Sequence, residues 1–384
     1  MLPCQRHLFS LPEGMHYLNC AQLSPLLKSV EDAGIAGIRR KRVPTGIQAA
    51  DFFSGSEALR ALLGRLVNAG AERIALVPAA SYGIAIATHN IRLRRGQNVV
   101  LPGEEFPSDV YGWRERCALD GGTVRMVPRP QDSQQPAREW TARLVEAMDR
   151  DTAAVTLSTV HWTDGTRFDL GAISKRAREV GAFLIVDGTQ SVGAQPFDFV
   201  AVQPDLLVCA GYKWLLGPYQ YGFAAVGDRL LAGRPLEHNW IAREGSEDFA
   251  RLVAYRDGFQ PGARRFDAGE RSNFILVPML AEAVRQILEW GVEAVQAYCA
   301  EMSQALEGAL GEGPFTLAPR ADRAAHLFGI RMPPGAPLPR IVEELKRRDV
   351  HVSLRGESIR VSPHVYNRPE DLQALAQVLR ETAG

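Results

Sequence analysis

The chain has 384 residues, more than one compact core usually holds, so two domains are expected. Hydrophobic residues make up 46% and charged residues 23%, a globular composition that excludes disordered and fibrous classes. Lysine plus arginine and aspartate plus glutamate both total 44, and a zero net charge gives no handle for nucleic acid, a polyanion or a membrane surface.

No apolar run reaches the roughly 18 residues of a membrane-spanning helix. The first residues, MLPCQRHLFSLPEG, lack the apolar centre of a secretory signal, so a cytoplasmic location is expected. The five cysteines (Cys4, Cys20, Cys117, Cys209, Cys299) are scattered and odd in number. That pattern predicts reduced thiols, with neither a disulfide frame nor a metal site.

In chain order, the run Arg39-Arg40-Lys41-Arg42 reads as a solvated helix face. A stripe of Leu59, Leu62, Leu63 and Leu66 marks a helix, with Ser54 and Glu57 spaced as a capping box at its start. Apolar runs predict buried strands at Arg73 to Val77, Asn98 to Leu101, Val124 to Val127, Ala153 to Leu157, Phe183 to Val186, Asp205 to Cys209 and Phe223 to Val226. Between them, Leu144, Val145 and Met148 form one helical stripe. Ile173, Ala177 and Val180 form another, which Gly181 ends. This alternation predicts an α/β fold with a mostly parallel sheet covered on both faces.

The stretch QPGARRFDAGERSN, Gln260 to Asn273, reads as loop. One long helix is expected after it, with Val284, Ile287, Leu288, Val292 and Val295 inward. Short strands at Leu327 to Met332, Val350 to Leu354 and Ile359 to Ser362 alternate with helices at Arg340 to Arg348 and Asp371 to Glu381. These predict a smaller α+β unit. No repeat or low-complexity segment is visible.

The chemistry concentrates in FLIVDGTQSVGAQPFDFVAVQPDLLVCAGYKWLLGPYQYG, Phe183 to Gly222. Asp187 ends one buried strand, and the next apolar strand, DLLVC, leads to Lys213. Open parallel sheets bind ligands at those strand ends. A lysine amine there can form an imine with an aldehyde, and a carboxylate can keep a pyridine nitrogen protonated. Gly217 and Gly222 would give the backbone room near such a ring. Taken singly, an aspartate after a strand is usually a turn residue and a lysine is usually solvated. Two consecutive strands that each deliver one reactive group make the stronger signal.

VDGTQSVGAQPFD followed by AGYKWLLGPYQYG resembles the class V aminotransferase family of fold-type I pyridoxal-phosphate enzymes. That group includes cysteine desulfurases, kynureninase and isopenicillin N epimerase. The resemblance covers nearly the whole chain. It implies an N-terminal segment at 1–20 packing near the small domain, a large cofactor-binding domain at 21–265 and a small C-terminal domain at 266–384. It also implies pyridoxal 5'-phosphate as cofactor, a small amino-acid substrate and a homodimer with shared active sites. Neither nucleic acid nor membrane is an expected partner.

By the same resemblance, Lys213 is the Schiff-base lysine, Asp187 pairs with the pyridinium, and Gln190 lies near the ring hydroxyl. Tyr212 adds a hydroxyl near the phosphate. Ala80, Ser81 and Tyr82 open a helix after the IALV strand, the backbone context in which a phosphate is held. Ser81 could instead only cap that helix. Phe106, in the stretch EFPSDVY, is the ring that stacks on the cofactor, or else a core aromatic. In STVHWTDGT, His161 is either a proton-transfer group or a satisfied structural histidine, Trp162 walls the pocket and Thr163 contacts the cofactor. Arg360 presents its guanidinium fork to the substrate carboxylate, unless it is merely an exposed strand arginine, and Asn19 joins it on the substrate. Ser272 and Asn273 match a loop that, in relatives, reaches the neighbouring subunit's phosphate, although Glu-Arg-Ser-Asn stands here where desulfurases have Thr-Pro-Asn.

The implied reaction passes through an external aldimine and an α-carbanion. Its outcome is amino transfer or β-elimination of the C–S lyase type, with a kynureninase-like hydrolase, an epimerase and a non-catalytic binding module as alternatives. A persulfide-forming desulfurase is disfavoured, because the stretch His351 to Ser358 lacks cysteine. A dinucleotide-binding enzyme lacks its G-x-G-x-x-G after any strand.

Overall fold

The computed structural model describes residues 2–131, 133–356 and 358–383. Strand β1 (His16–Tyr17) precedes helices α1 (Lys28–Arg40) and α2 (Asp51–Leu66). An alternating series follows: β2 (Ile74–Val77), α3 (Ala80–Asn90), β3 (Asn98–Pro102), α4 (Pro107–Asp120), β4 (Thr123–Val127), α5 (Pro136–Ala147), β5 (Thr152–Ser158) and α6 (Leu170–Val180). It continues through β6 (Phe183–Asp187), α7 (Phe199–Val202), β7 (Leu206–Ala210), β8 (Gly222–Val226) and α8 (Asp228–Leu231). The C-terminal part holds α9 (Leu276–Trp290), α10 (Val292–Leu310), β9 (Thr316–Leu317), β10 (Phe328–Arg331), α11 (Leu338–Arg347), β11 (Val350–His351), β12 (Ser353–Arg355), β13 (Ser358–Val361) and α12 (Pro369–Ala383).

The seven apolar runs expected as strands pair into one sheet in the order β2-β8-β7-β6-β5-β3-β4. Only β8 runs against the rest. Strands β5 and β7 are buried at every position, as covering on both faces requires, whereas the edge strand β4 alternates. Because β2, β3, β5, β6 and β7 share one direction, their carboxyl ends lie along one rim. A second, antiparallel sheet has the order β12-β13-β10-β9. The N-terminal segment joins that part of the molecule. β1 pairs in parallel with β11, and Asn19 bridges Ser362.

Buried Asp267 fixes the position of β2. It accepts from the Leu76 N–H at 2.8 Å and from Arg60 Nη1 at 3.0 Å, and Arg271 Nε is 3.0 Å away. No helix among the described residues is long and apolar enough to cross a membrane.

Several local expectations are corrected. Ser54 and Glu57 do not cap α2, which begins a turn earlier, where Asp51 accepts from the Gln48 N–H at 2.8 Å. Glu57 instead pairs with Arg60 and Arg264. The single long helix is two, α9 and α10, because Gly291 takes φ +79° between them. The run Val350 to Leu354 is divided at Val352, since β11 pairs with β1 and β12 pairs with β13. Gly217 and Gly222 leave no room for a ligand. A Cβ on Gly222 would lie 2.3 Å from the Cys209 carbonyl oxygen, and one on Gly217 2.5 Å from Leu280, so the chain itself uses that space. By contrast, Gly181 ends α6 in the left-handed conformation, and the basic run at Arg39 to Arg42 is exposed.

Candidate active site

The rim made by the parallel strands borders a cavity of about 340 Å³. β2 delivers Ala80 and Ser81, β5 delivers Ser158 and Trp162, β6 delivers Asp187, Thr189 and Gln190, and β7 delivers Tyr212 and Lys213. Phe106 enters from the loop after β3.

Lys213 is nearly enclosed. Burial lowers its pKa to about 8; the charges of Arg360 and Arg355 add to this, against the pull of Asp187. Its Nζ stands 5.6 Å from the Phe106 ring centroid and 5.5 Å from that of Tyr212. A neutral amine is the nucleophilic form, and the lowered pKa makes that form accessible near neutral pH.

Asp187 accepts the Thr189 N–H at 2.7 Å. Burial pushes its pKa up, while Thr189 and Lys213 pull it down. Beneath it lie two further buried carboxyls. Glu105 accepts from the Ser158 N–H at 2.8 Å, the Ser158 hydroxyl at 2.6 Å and the Phe106 N–H at 2.8 Å. Asp109 is fully buried; among the described residues no N–H or hydroxyl donates to either of its oxygens, and its hydrogen-bonding neighbour is the Asp187 carboxylate, to which a protonated Asp109 donates. Burial, then the charges of Asp187 and Glu105, hold its pKa well above the usual carboxylate range. Neighbouring buried carboxyls cannot all ionise. Asp109 is therefore the protonated one, and Asp187, which has a donor and a nearby cation, carries the charge.

The start of α3 has no side-chain cap. Ala80 and Ser81 line the cavity there, so amide groups at the positive end of a helix face it. Tyr82 turns away and donates its hydroxyl to Glu237 at 3.1 Å. Gln190 is held from both sides: Nε2 donates to the Ala21 carbonyl at 3.2 Å, and Oε1 accepts from Trp214 Nε1 at 2.9 Å.

His161 does not reach the cavity. It is fully buried against Trp140, with ring centroids 5.0 Å apart. Nδ1 accepts from Arg129 at 3.1 Å and from Thr163 at 2.8 Å, leaving Nε2 to donate to the Gly103 carbonyl at 3.2 Å. Burial, with Arg129, lowers its pKa to about 4. It is a satisfied structural histidine, and Thr163 belongs to the same network, away from the inner cavity.

Arg360 lies behind the Trp162 wall, 1% exposed, and donates to the Trp162 carbonyl at 2.9 Å. Its other contact is Ser353 Oγ at 3.4 Å, and that hydroxyl in turn donates to Asn19 Oδ1 at 2.8 Å. Asn19 thus acts on Arg360 through Ser353 and does not line the cavity. Ser272 donates to the Phe52 carbonyl, and Asn273 accepts from the Ile275 and Leu276 N–H groups at the start of α9. Neither lines this chain's cavity. Sequence reasoning missed Thr189, Asp109, Glu105 and Ser158. All four sit in the stretches it singled out, but strand-end spacing does not reveal which polar groups converge.

Pyridoxal phosphate fits these residues: an enclosed amine whose pKa is lowered to about 8, a carboxylate on the same rim, an uncapped helix start and an aromatic plate. Residues 45–375 match the family model Aminotransferase class-V. An uncharacterized aminotransferase of Bacillus subtilis is 26% identical over 341 residues, covering 85% of this chain and 84% of its own. Isopenicillin N epimerase of Streptomyces clavuligerus is 26% identical over 337 residues, with the same 85% and 84%. Among solved structures, a cysteine desulfurase from Thermococcus onnurineus superposes with a TM-score of 0.84 at 18% identity, covering 100% of this chain and 99% of its own. The cystine C-S lyase C-DES in complex with cysteine persulfide gives 0.84 at 20%, covering 97% and 99%; these likenesses speak for the fold. With its family model matched from residue 45 to residue 375, the chain belongs to the class V aminotransferases and is a pyridoxal-phosphate enzyme acting on amino acids.

Proposed function

We propose that the enzyme carries out amino transfer, or β-elimination of the C–S lyase type, on an amino acid at this cavity. The observation that carries the reading is the enclosed amine of Lys213, neutral above about pH 8, in a cavity that no cysteine lines. Lys213 is the residue that would hold the cofactor covalently, Asp187 the one that would pair with its ring nitrogen, and Ala80 and Ser81 those that would take its phosphate. Bound there, pyridoxal phosphate supplies an electron-withdrawing ring that acidifies the substrate's α-carbon. Asp187 stays ionised beside the ring nitrogen because Thr189 donates to it and Asp109 keeps its own proton. Phe106 and Trp162 exclude water from one side of the cavity. Lys213 Nζ would take the substrate's α-proton and return it. Arg360 offers its guanidinium to the α-carboxylate.

The same reading includes a cytoplasmic homodimer that binds neither nucleic acid nor membrane, in which the loop that carries Ser272 and Asn273 reaches the partner subunit's phosphate. It also divides the chain into residues 1–20, 21–265 and 266–384; the seven-stranded sheet lies wholly within the second part and the four-stranded sheet wholly within the third, which supports the later division.

The test is product analysis by mass spectrometry after incubating the holoenzyme with amino acids in turn. A 2-oxo acid with the amino group left on the cofactor identifies amino transfer. Pyruvate with ammonia and a released thiol identifies C–S lysis. An inverted α-carbon with no other product would replace both with epimerisation.

A further inference from the structure

Beyond Trp162 lies a second chamber of about 650 Å³. Trp162 lines both chambers and stands between them. The outer chamber is cationic, with Arg129, Arg331 and Arg355 in its lining. Its two acids, Glu104 and Asp164, are both engaged by Arg129. Among the described residues, no ion pair involves Arg355.

The β12–β13 hairpin sets Arg355 in a specific relation to Arg360. Ser353 stands opposite Arg360, and Arg355 stands opposite Ser358. Arg355 lies two residues from Ser353, so alternation puts it on the same sheet face as Arg360, as a diagonal neighbour. Two like charges so placed repel unless an anion comes between or beside them. Neither Nε has a hydrogen-bond partner.

The two guanidiniums address different ends of Trp162. Arg360 donates to its backbone carbonyl at 2.9 Å. The Arg355 guanidinium carbon stands 5.4 Å from its ring centroid, in the outer chamber. The ring is itself fixed, donating Nε1–H to the Glu104 carbonyl at 2.8 Å and meeting Phe106 edge-on at 5.6 Å. A guanidinium lying over a fixed indole keeps its fork oriented for a carboxylate.

We propose that Arg355 is a specificity-determining residue that receives a carboxylate at the far end of the substrate's side chain, so that the enzyme acts on amino acids carrying a second, distal carboxylate. The inference rests on the assignment of the α-carboxylate to Arg360. Arg360, behind Trp162 and in the lining of neither chamber, would take the α-carboxylate beside that wall, and Arg355 would take the end of a side chain that passes Trp162 into the outer chamber. The depression of the Lys213 pKa by both arginines agrees with two cations converging on one site.

The test compares glutarate with valerate, non-reacting acids of equal chain length, by calorimetry on the holoenzyme. Glutarate binds at least about tenfold more tightly than valerate, the effect of one charge-assisted hydrogen-bonded pair. Arg355→Met abolishes that preference and leaves valerate binding unchanged, whereas Arg360→Met weakens both acids. Arg355→Lys restores part of the preference, which a merely structural role would not do. Equal binding of the two acids by the unaltered enzyme overturns the proposal. So does an equal loss of both in Arg355→Met, which would make Arg355 a second grip on the α-carboxylate. The visible absorption band of lysine-bound cofactor, recorded on the same sample, tests the underlying reading separately. Calorimetry reads the carboxylate preference whether or not that band is present.

Discussion

The Thr189 backbone N–H donates to Oδ1 of Asp187 at 2.7 Å. This bond helps decide which of two adjacent buried carboxyls is ionised, since Asp109 has no such donor. Replacing Asp187 with asparagine keeps the shape and removes the charge. The variant is expected to release the cofactor about 10- to 100-fold more readily, the cost of one hydrogen bond to a charged group. Cofactor dissociation followed by dialysis and absorbance checks this, and unchanged retention would remove Asp187 from its assigned place.

Lys213 is expected to govern cofactor uptake. Lys213→Ala should lose the visible band of lysine-bound cofactor. In the unaltered apoprotein the reactive amine is the neutral form, favoured as pH rises through about 8. The uptake rate should therefore climb about tenfold per pH unit below that value and level off above it. Stopped-flow absorbance between pH 6 and pH 10 reads the midpoint, and a flat profile contradicts the assignment.

Asp109→Asn tests the proton count beneath the site. The native pKa of Asp109 is raised by burial and by its acidic neighbours. Its contribution to stability is thus full below the unfolded value of about 3.9 and is lost as pH rises towards the native one. Asparagine does not titrate. The variant should gain stability over the unaltered protein as pH rises from acid to neutral, by thermal melting at matched pH. Parallel melting curves would mean that Asp109 is ionised in the fold.

His161→Phe separates structure from catalysis. Losing its bonds to Arg129, Thr163 and Gly103 should cost about 1–3 kcal/mol of stability, as for other buried polar groups left unpaired. A proton-transfer residue would instead reduce kcat about 10²- to 10⁴-fold. We expect the folded variant to stay within about tenfold of the parent kcat, well short of that range. Measuring kcat and the denaturation midpoint on one preparation distinguishes the two roles.

Much of the fold was legible because the strands are apolar on both faces. FLIV and DLLVC could scarcely be read otherwise, and the same runs placed Asp187 and Lys213 on one rim. Helix ends were less legible. Ser54 and Glu57 have capping-box spacing, yet Asp51 begins α2 a turn earlier. The sequence also cannot show which way a side chain leaves a loop. His161 and Trp162 are consecutive, but the indole walls the cavity while the imidazole packs on Trp140. Asp109 stands within a recognisable stretch but shows no role there, because its meaning comes from two other carboxyls brought to it by folding. Arg355 is silent in the sequence for a similar reason: its relation to Arg360 is a matter of hairpin register.

The pairing of β1 with β11, and of Asn19 with Ser362, ties the beginning of the chain to residues more than 300 positions later. The Asn19, Ser353 and Arg360 chain cannot form until the β12–β13 hairpin has left the ribosome. The seven-stranded sheet, made from residues 74 to 226, emerges well before that. Since domains generally fold in the order of their synthesis, the lysine and its rim are in place while Arg360 and the β12–β13 hairpin are still missing. A nascent chain halted before residue 350 should thus be able to capture cofactor yet be unable to discriminate among amino acids.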